Sequence, residues 1–441
     1  MKSVHLISLG CAKNLVDSER FLASASGNFN LKPTGSPEEA DLIVINTCAF
    51  LQSAVEEALA AIMEAGAAKK SGAVMVVMGC LPSRYLGQEP GGLGELPEVD
   101  LWLTPADYPM FEKKVGAMLG LSGQPDCAFG ADDLPLGGRT RGTPFFRAFL
   151  KIAEGCDNRC TYCLIPRLRG PLKSYGVDQL VAEAEALAAD GVRELTLVAQ
   201  DLTAYGLERG EDKALIPLVR RLSEISGLDW IRLLYAYPER LTERFVKDLA
   251  ATPKVLPYLD LPFQHASADI LKRMGRRKVR PLELVKNLRR WWPGLTLRTT
   301  MIVGFPGETE EHFNEMTAFV KEASFDHLGV FKFSPEEEAP ASRYPNQVPQ
   351  GVKEKRRRRI MSIQRKVSQS RNRARVGRTV PVLVEGPGGD SELVMTGRAP
   401  FQAPEVDGLI YFDGEQPQPG QIVSTRLIKA GPYDLVGRVE E

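Results

Sequence analysis

The sequence predicts an α/β protein in three parts: an N-terminal open parallel sheet, a central partial (β/α)6 barrel and a small all-β barrel at the C-terminus. Three observations predict it. Strand-like runs alternate with helical patterns in two successive blocks, as parallel sheets with crossover helices require. A Gly-, Pro- and Asp-rich stretch, residues 126–144, separates those blocks and reads as a linker. Beyond a basic segment the chain turns to short strands divided by Gly and Pro, which suits a small closed barrel. The resulting units are residues 1–140, 141–351, a basic helical linker 352–375, and 376–441.

In the first block residues 4–9, 42–46, 74–78 and 99–103 read as strands, with helices at 18–25 and 54–65. In the second, strands fall at 148–153, 194–198, 231–235, 258–261, 298–303 and 328–333, with helices such as 177–189 and 214–225 between them. About six β/α units in one block suit a partial barrel. Residues 352–378 hold twelve Lys and Arg against the single acid Glu354. Ile360, Ile363 and Val367 recur there at helical spacing. Its cations form either a solvated helix face or a contact with ribosomal RNA. From Val376 onward five basic residues meet ten acidic ones, a balance better suited to a basic protein than to nucleic acid.

The 441 residues are 43% hydrophobic and 25% charged, with 56 basic and 56 acidic side chains. Coating nucleic acid by net charge is thereby excluded. No apolar run approaches the roughly 18–20 residues of a membrane span. His5 interrupts a very short apolar stretch, so no signal peptide is expected, and a cytoplasmic location is.

Seven cysteines are too few for a disulfide scaffold of this length. Their positions carry the chemistry. Cys156, Cys160 and Cys163 come from one loop directly after the first strand of the second block. Three thiolates hold a cubane iron–sulfur cluster and leave one iron free for a ligand. Zinc competes, but a structural zinc takes four protein ligands and no nearby His supplies the fourth. Cys11, Cys48 and Cys80 each follow an apolar strand. Ligand sites in open parallel sheets form beyond the carboxyl ends of strands, so these three are expected either to converge on a second site or to be buried structural cysteines. Cys127 lies in the linker and reads as a bystander.

Gln200-Asp201 and Gln264-His265 stand at strand ends in the barrel block, where barrel chemistry collects. Each is a ligand contact or a hydrogen-bonding support. The turn from Gly304 through Pro306 and Gly307 to Thr309 joins a strand to a helix. It either cradles a cofactor or is an ordinary connection. His312 and His327 carry no pattern and read as structural.

At Gly155-Cys156 through Cys163 the chain resembles the radical S-adenosylmethionine (SAM) superfamily. With Gly10-Cys11, Asn46-Thr47-Cys48 and Gly79-Cys80, and with the order of the three units, it resembles the methylthiotransferases over nearly its whole length. Residues 11–19, 199–206 and 261–267 are similar to the branch that modifies an aspartate of small-subunit ribosomal protein S-twelve; a second branch modifies an adenosine of tRNA. The resemblance implies a TRAM-like C-terminal barrel and two 4Fe-4S clusters, one on each cysteine triad. It implies SAM as cofactor, in a pocket lined by Gln200, Asp201, Gln264, Gly304, Pro306 and Gly307. It implies an electron donor such as flavodoxin or ferredoxin. The reaction it implies is insertion of a methylthio group at an aspartate β-carbon. That C–H bond lies beyond any side-chain base, so a cofactor-borne radical is expected to break it.

Overall fold

The computed structural model describes residues 2–86, 93, 96–120, 139–388 and 391–440. Cys127 and most of the stretch expected as a linker lie outside them. The N-terminal sheet has the order β2-β1-β3-β4-β5, all parallel, from β1 (Ser3–Ser8), β2 (Lys32–Pro33), β3 (Leu42–Thr47), β4 (Val74–Gly79) and β5 (Leu101–Leu103). Every residue of β3 and β4 is buried. Their unbroken apolar runs follow from helices covering both faces. Ile43, Ile45, Met75 and Val77 pack on one side with α2 (Gln52–Ala68). Leu42, Val44, Val76 and Met78 pack on the other with Phe21 of α1 (Ala12–Asn28). Both helices outrun their predicted spans, and α1 starts immediately after Cys11. A short helix, α3 (Cys80–Tyr85), follows β4.

The central unit is a six-stranded parallel sheet, order β13-β12-β11-β10-β9-β6. Its strands are β6 (Arg147–Lys151), β9 (Glu194–Val198), β10 (Trp230–Leu233), β11 (Val255–Asp260), β12 (Thr296–Val303) and β13 (His327–Lys332). Between β6 and β9 lies a small antiparallel hairpin, β7 (Ala153–Glu154) with β8 (Lys173–Ser174). Outward-facing Leu150, Leu195, Leu197, Ile231, Leu233 and Leu259 meet the helices. The alternate positions mix Phe149, Val198 and Tyr258 with the ionic residues Lys151, Glu194, Arg232, Asp260 and Arg298. This interior is far more charged than the branched apolar layers usual in complete barrels.

The basic helix Gln350–Arg373 packs along β13. Lys353 donates to the Phe333 carbonyl at 2.8 Å, Gln364 to the Phe325 carbonyl at 2.9 Å, and Arg356 to Glu308 at 2.7 Å. Arg371 and Arg375 both pair with Asp326. Part of the cationic run is thus consumed internally, while Lys355, Arg359, Arg365 and Lys366 stay exposed. No described helix is long and apolar enough to cross a membrane.

The C-terminal strands β14 (Thr379–Gly388), β15 (Ser391–Arg398), β16 (Ile410–Phe412), β17 (Ile422–Ala430) and β18 (Leu435–Val439) close into a barrel of order β14-β15-β16-β18-β17. Closure removes exposed sheet edges. This barrel seats at the strand-start end of the central sheet. Arg398 and Arg232 share the carboxylate of Glu194, the first residue of β9, with all three side chains almost fully buried. Arg232 also donates to the Pro400 carbonyl at 2.8 Å. At the other end of the molecule, Arg84 of α3 donates to the Ala49 carbonyl, to Glu336 at 2.7 Å and to Glu338 at 3.0 Å. That contact fastens the N-terminal sheet to the segment after β13.

Burial favours the neutral acid of Glu194, but Arg398 and Arg232 outweigh it and hold the carboxyl at about 2, below its ordinary 4.5. The stability this supplies is complete above pH ~4.5 and is lost as pH falls toward ~2. Glu194→Gln, which strands two buried guanidinium groups, is expected to cost about 3–5 kcal/mol in urea unfolding. The gap between wild type and variant should narrow from pH ~5 to pH ~2.5. A gap independent of pH would contradict this assignment.

Candidate functional site

Cys11, Cys48 and Cys80 follow β1, β3 and β4, three neighbours in one sheet, so the sheet itself brings them to one edge. Two glycines let them approach. Gly10 has φ +94°, and a Cβ there would lie 2.8 Å from the Cβ of Cys48. Gly79 has φ +99°, and a Cβ there would lie 2.5 Å from both the Asn46 Oδ1 and the Thr47 carbonyl oxygen. The intervening side chains are tied down. Asn14 donates to the Thr47 carbonyl at 2.9 Å, Asn46 to the Asn14 carbonyl at 2.9 Å, and Thr47 to the Met78 carbonyl at 2.7 Å. Burial, reinforced by Cys80 and Cys11, pushes the Cys48 thiol up to about 11. The protein packed around Cys11 opposes its ionisation, yet Lys13 and Arg169 outweigh that and hold the thiol below its usual value.

Cys156, Cys160 and Cys163 lie on the loop between β7 and β8. Gly155 (φ +73°) runs so close to the Pro171 carbonyl that a Cβ would come within 2.0 Å. The loop is fastened at several points. The Cys156 amide donates to the Gly170 carbonyl at 3.2 Å, Thr161 to the Met274 carbonyl at 3.1 Å, and Leu172 to Asp157 at 3.1 Å. The Ile165 amide donates to the Cys163 sulfur at 3.4 Å. Burial, with Cys160 and Cys156 adding to it, pushes the Cys163 thiol up to about 12, and burial also raises Cys156.

Among the described residues no three His, Cys, Asp or Glu side chains are disposed to hold a single metal ion. A cubane asks for something looser, because each thiolate binds a different iron. Six cysteines free of disulfides, in two groups of three, are a donor set of that kind.

The strand-end residues divide by role. Asp201 spends its carboxylate inside the protein: Oδ2 accepts from Asn158 of the cysteine loop at 2.8 Å, and Oδ1 accepts from the Thr203 amide at 3.0 Å. Arg240 clamps the other side of Asn158 at 2.8 Å. Asp201 is therefore placed to hold the loop. Gln200 donates to Glu154 at 2.5 Å, while its Oε1 is buried without a hydrogen-bond partner among the described residues. Gln264 has φ +70°, unusual outside glycine, and its Oε1 is likewise buried and unpartnered. In the 304–309 turn, the Gly304 amide donates to Glu308 at 2.8 Å and the Gly307 amide to the Asn346 carbonyl at 2.8 Å. Those two donors are already used, so a cradle formed by these amides is not what the turn offers. His312 caps the following helix with Thr309, and His327 donates from Nε2 to the Phe401 carbonyl at 2.7 Å, with its Nδ1 3.3 Å from Asp407 of the C-terminal unit.

The two triads meet at an ionic junction that no sequence pattern marked. Lys151 pairs with Asp17 and, at 2.8 Å, with Glu154. Arg169 pairs with Asp17 at 3.1 Å and Glu154 at 3.2 Å, and its Nε lies 3.2 Å from the Cys80 sulfur. Its remaining nitrogen reaches Asn14. Burial raises the Glu154 carboxyl, but Lys151 and Arg169 prevail and hold it well below its usual range. Arg169 thus touches one triad and leans on the residue that begins the loop of the other.

Residues 150–320 match the profile of the radical SAM superfamily, 3–103 that of an uncharacterized protein family, UPF0004, and 376–439 that of the TRAM domain. Curated proteins named ribosomal protein uS12 methylthiotransferase RimO align end to end. That of Pelobacter propionicus is 43% identical over 100% of this chain and 98% of its own. That of Trichlorobacter lovleyi is 44% identical with the same coverage. That of Geobacter sulfurreducens is 43% identical over 99% of this chain and 98% of its own. This chain belongs to the RimO family. It is a radical SAM methylthiotransferase, and the superfamily brings SAM and a 4Fe-4S cluster as cofactors. Among solved structures, the radical SAM methyltransferase TsrM from Kitasatospora setae, with tryptophan and a SAM analogue bound, aligns with TM-score 0.55 at 16% identity, over 75% of this chain and 73% of that one. A second structure of TsrM, with cobalamin and a 4Fe-4S cluster bound, gives the same score. The RimO-family chain shares a fold with these enzymes at that level of identity.

Gly79→Ala is expected to destabilise the protein by about 2 kcal/mol or more. It should also lower the iron bound per chain after anaerobic reconstitution. Iron unchanged from wild type would show that the close passage at Gly79 is not required by the first triad.

Proposed function

We propose that this chain adds a methylthio group to the β-carbon of an aspartate of ribosomal protein uS12, with one 4Fe-4S cluster on Cys156, Cys160 and Cys163 and a second on Cys11, Cys48 and Cys80. The observation that carries the reading is the pairing of two three-cysteine sets across one junction in a chain colinear with RimO proteins. Bound there, the clusters and SAM supply what no side chain can: radical cleavage of an unactivated C–H bond, and the sulfur and methyl to be inserted.

The chain's own residues hold and orient. Asp201, Asn158 and Arg240 fix the loop that presents Cys156, Cys160 and Cys163. The buried, unpartnered carbonyl oxygens of Gln200 and Gln264 would serve as acceptors for SAM. Gly304, Pro306 and Gly307 would form the neighbouring wall, contributing shape and not amide donors. Asp17, Glu154, Lys151 and Arg169 keep the two triads in register. The location is the cytoplasm, where the target is made. An acidic one-electron carrier such as flavodoxin or ferredoxin would supply the electron. The exposed cations of Gln350–Arg373 would meet ribosomal RNA if the target is modified within the subunit.

The test is mass spectrometry on reconstituted enzyme with SAM, sulfide and reductant, offered uS12 or unmodified tRNA. A methylthio mass gain on one uS12 aspartate is expected, with none on tRNA. Cys160→Ala should abolish SAM cleavage. Cys48→Ala should preserve SAM cleavage and stop transfer. Product from Cys48→Ala would refute the second cluster, and a gain on a tRNA adenosine would move the substrate.

A further inference from the structure

The junction between the triads contains three buried cations, Lys13, Lys151 and Arg169, and two carboxylates, Asp17 and Glu154. Lys151 and Arg169 take both carboxylates. Lys13, 9% exposed, takes neither: its charge favours the neighbouring Cys11 thiolate, and its ammonium makes no hydrogen bond among the described residues. Its contact is the face of Tyr235, with the ammonium 3.8 Å from the ring centroid. A ring face steadies a cation but leaves its N–H donors directed elsewhere. The ammonium keeps solvent contact beside Cys11, so its donors are open to an incoming acceptor.

The placement says what that acceptor is. Lys13 is two residues from Cys11 in the first turn of α1. Tyr235 follows β10, at the same end of the barrel as Gln200 and the Cys156–Cys163 loop. Its φ of +67° is rarely adopted by a bulky residue. Such strain persists where the surrounding structure enforces a particular aim, and it gathers at ligand sites. The Tyr235 ring of the barrel therefore fixes the Lys13 cation of the N-terminal unit in place, beside Cys11 and at the reaction end of the barrel.

Resting on the function proposed above, we infer that Lys13 binds the side-chain carboxylate of the target aspartate. The reacting β-carbon is bonded directly to that carboxyl carbon, so holding the carboxylate places the carbon between the triads. The same contact selects aspartate over asparagine, because the amide offers the ammonium no charge. Lys13 makes and breaks no covalent bond.

The experiment compares wild type, Lys13→Gln and Lys13→Arg, each fully reconstituted, on uS12 and on uS12 carrying Asn at the target. Lys13→Gln is expected to lower kcat/KM for the aspartate protein by about 30-fold or more, chiefly through KM. It should also erase the preference for Asp over Asn. Iron and sulfide content are measured for each protein, and kcat/KM is expressed per reconstituted cluster. Lys13→Arg, which restores the charge, should recover most of the loss. An unchanged KM or a retained Asp preference in Lys13→Gln overturns the proposal. So does a fall in iron content in step with activity, which would make Lys13 a counter-charge for the metal group. Wild-type enzyme that leaves uS12 unmodified would instead overturn the function on which the proposal rests.

Discussion

Asp17 and Glu154, each held between Lys151 and Arg169, form the contact on which the rest of this molecule depends. All four groups are largely withdrawn from water. Burying an ion pair gains little by itself and tolerates no missing member. What such a network supplies is register. Asp17 belongs to the helix that starts beside Cys11, Glu154 to the hairpin strand that ends beside Cys156, and Arg169 reaches the Cys80 sulfur. Two cysteine sets on separate sheets are thereby held to one geometry. A reaction that passes atoms between two sites needs its parts fixed to within a fraction of an ångström.

The same logic repeats at the opposite end of the barrel. There Glu194 is held by Arg232 from inside the sheet and by Arg398 from the C-terminal barrel. The interior of the central unit is accordingly ionic at both ends, with apolar side chains such as Phe149, Val198 and Tyr258 interleaved among the charges. Each ionic layer joins a different neighbouring unit. One buried apolar cluster also runs through all three units, joining Val16 of α1, Phe149, Val198 and Tyr258 of the central sheet, and Leu383 and Ala403 of the C-terminal unit.

How much of this was legible in the sequence depends on the kind of signal. The strands β9, β12 and β13 were readable because apolar runs bounded by Gly and helical patterns have one physical explanation. Cys156, Cys160 and Cys163 were readable as a set from their spacing, whereas Cys11, Cys48 and Cys80 read equally as structural cysteines until the family resemblance was weighed. Residues such as Lys151, Glu154 and Arg169 carried no signal. A lysine closing a short strand looks like a solvated end, and only the tertiary fold shows that α1 covers it. The 304–309 turn went the other way. Its composition allowed either a cradle of amide donors or an ordinary connection, and the fold uses the amides of Gly304 and Gly307 on Glu308 and Asn346. Tyr235 was read as the end of a strand; its left-handed backbone is a property of the site and not of local propensity.

Arg84 bears on how the molecule is made. Its carboxylate partner Glu336 lies 252 residues further along the chain. At a synthesis rate of about 5–20 residues per second, roughly ten to fifty seconds separate the two leaving the ribosome. During that interval the N-terminal sheet is complete, but its cysteine edge has no barrel against it, and Arg169 reaches Cys80 only once residues beyond 150 have emerged. Nascent chains thus pass through a period in which Cys80 lacks the Arg169 cover that it has in the folded protein. That period leaves its thiol most open to oxidants.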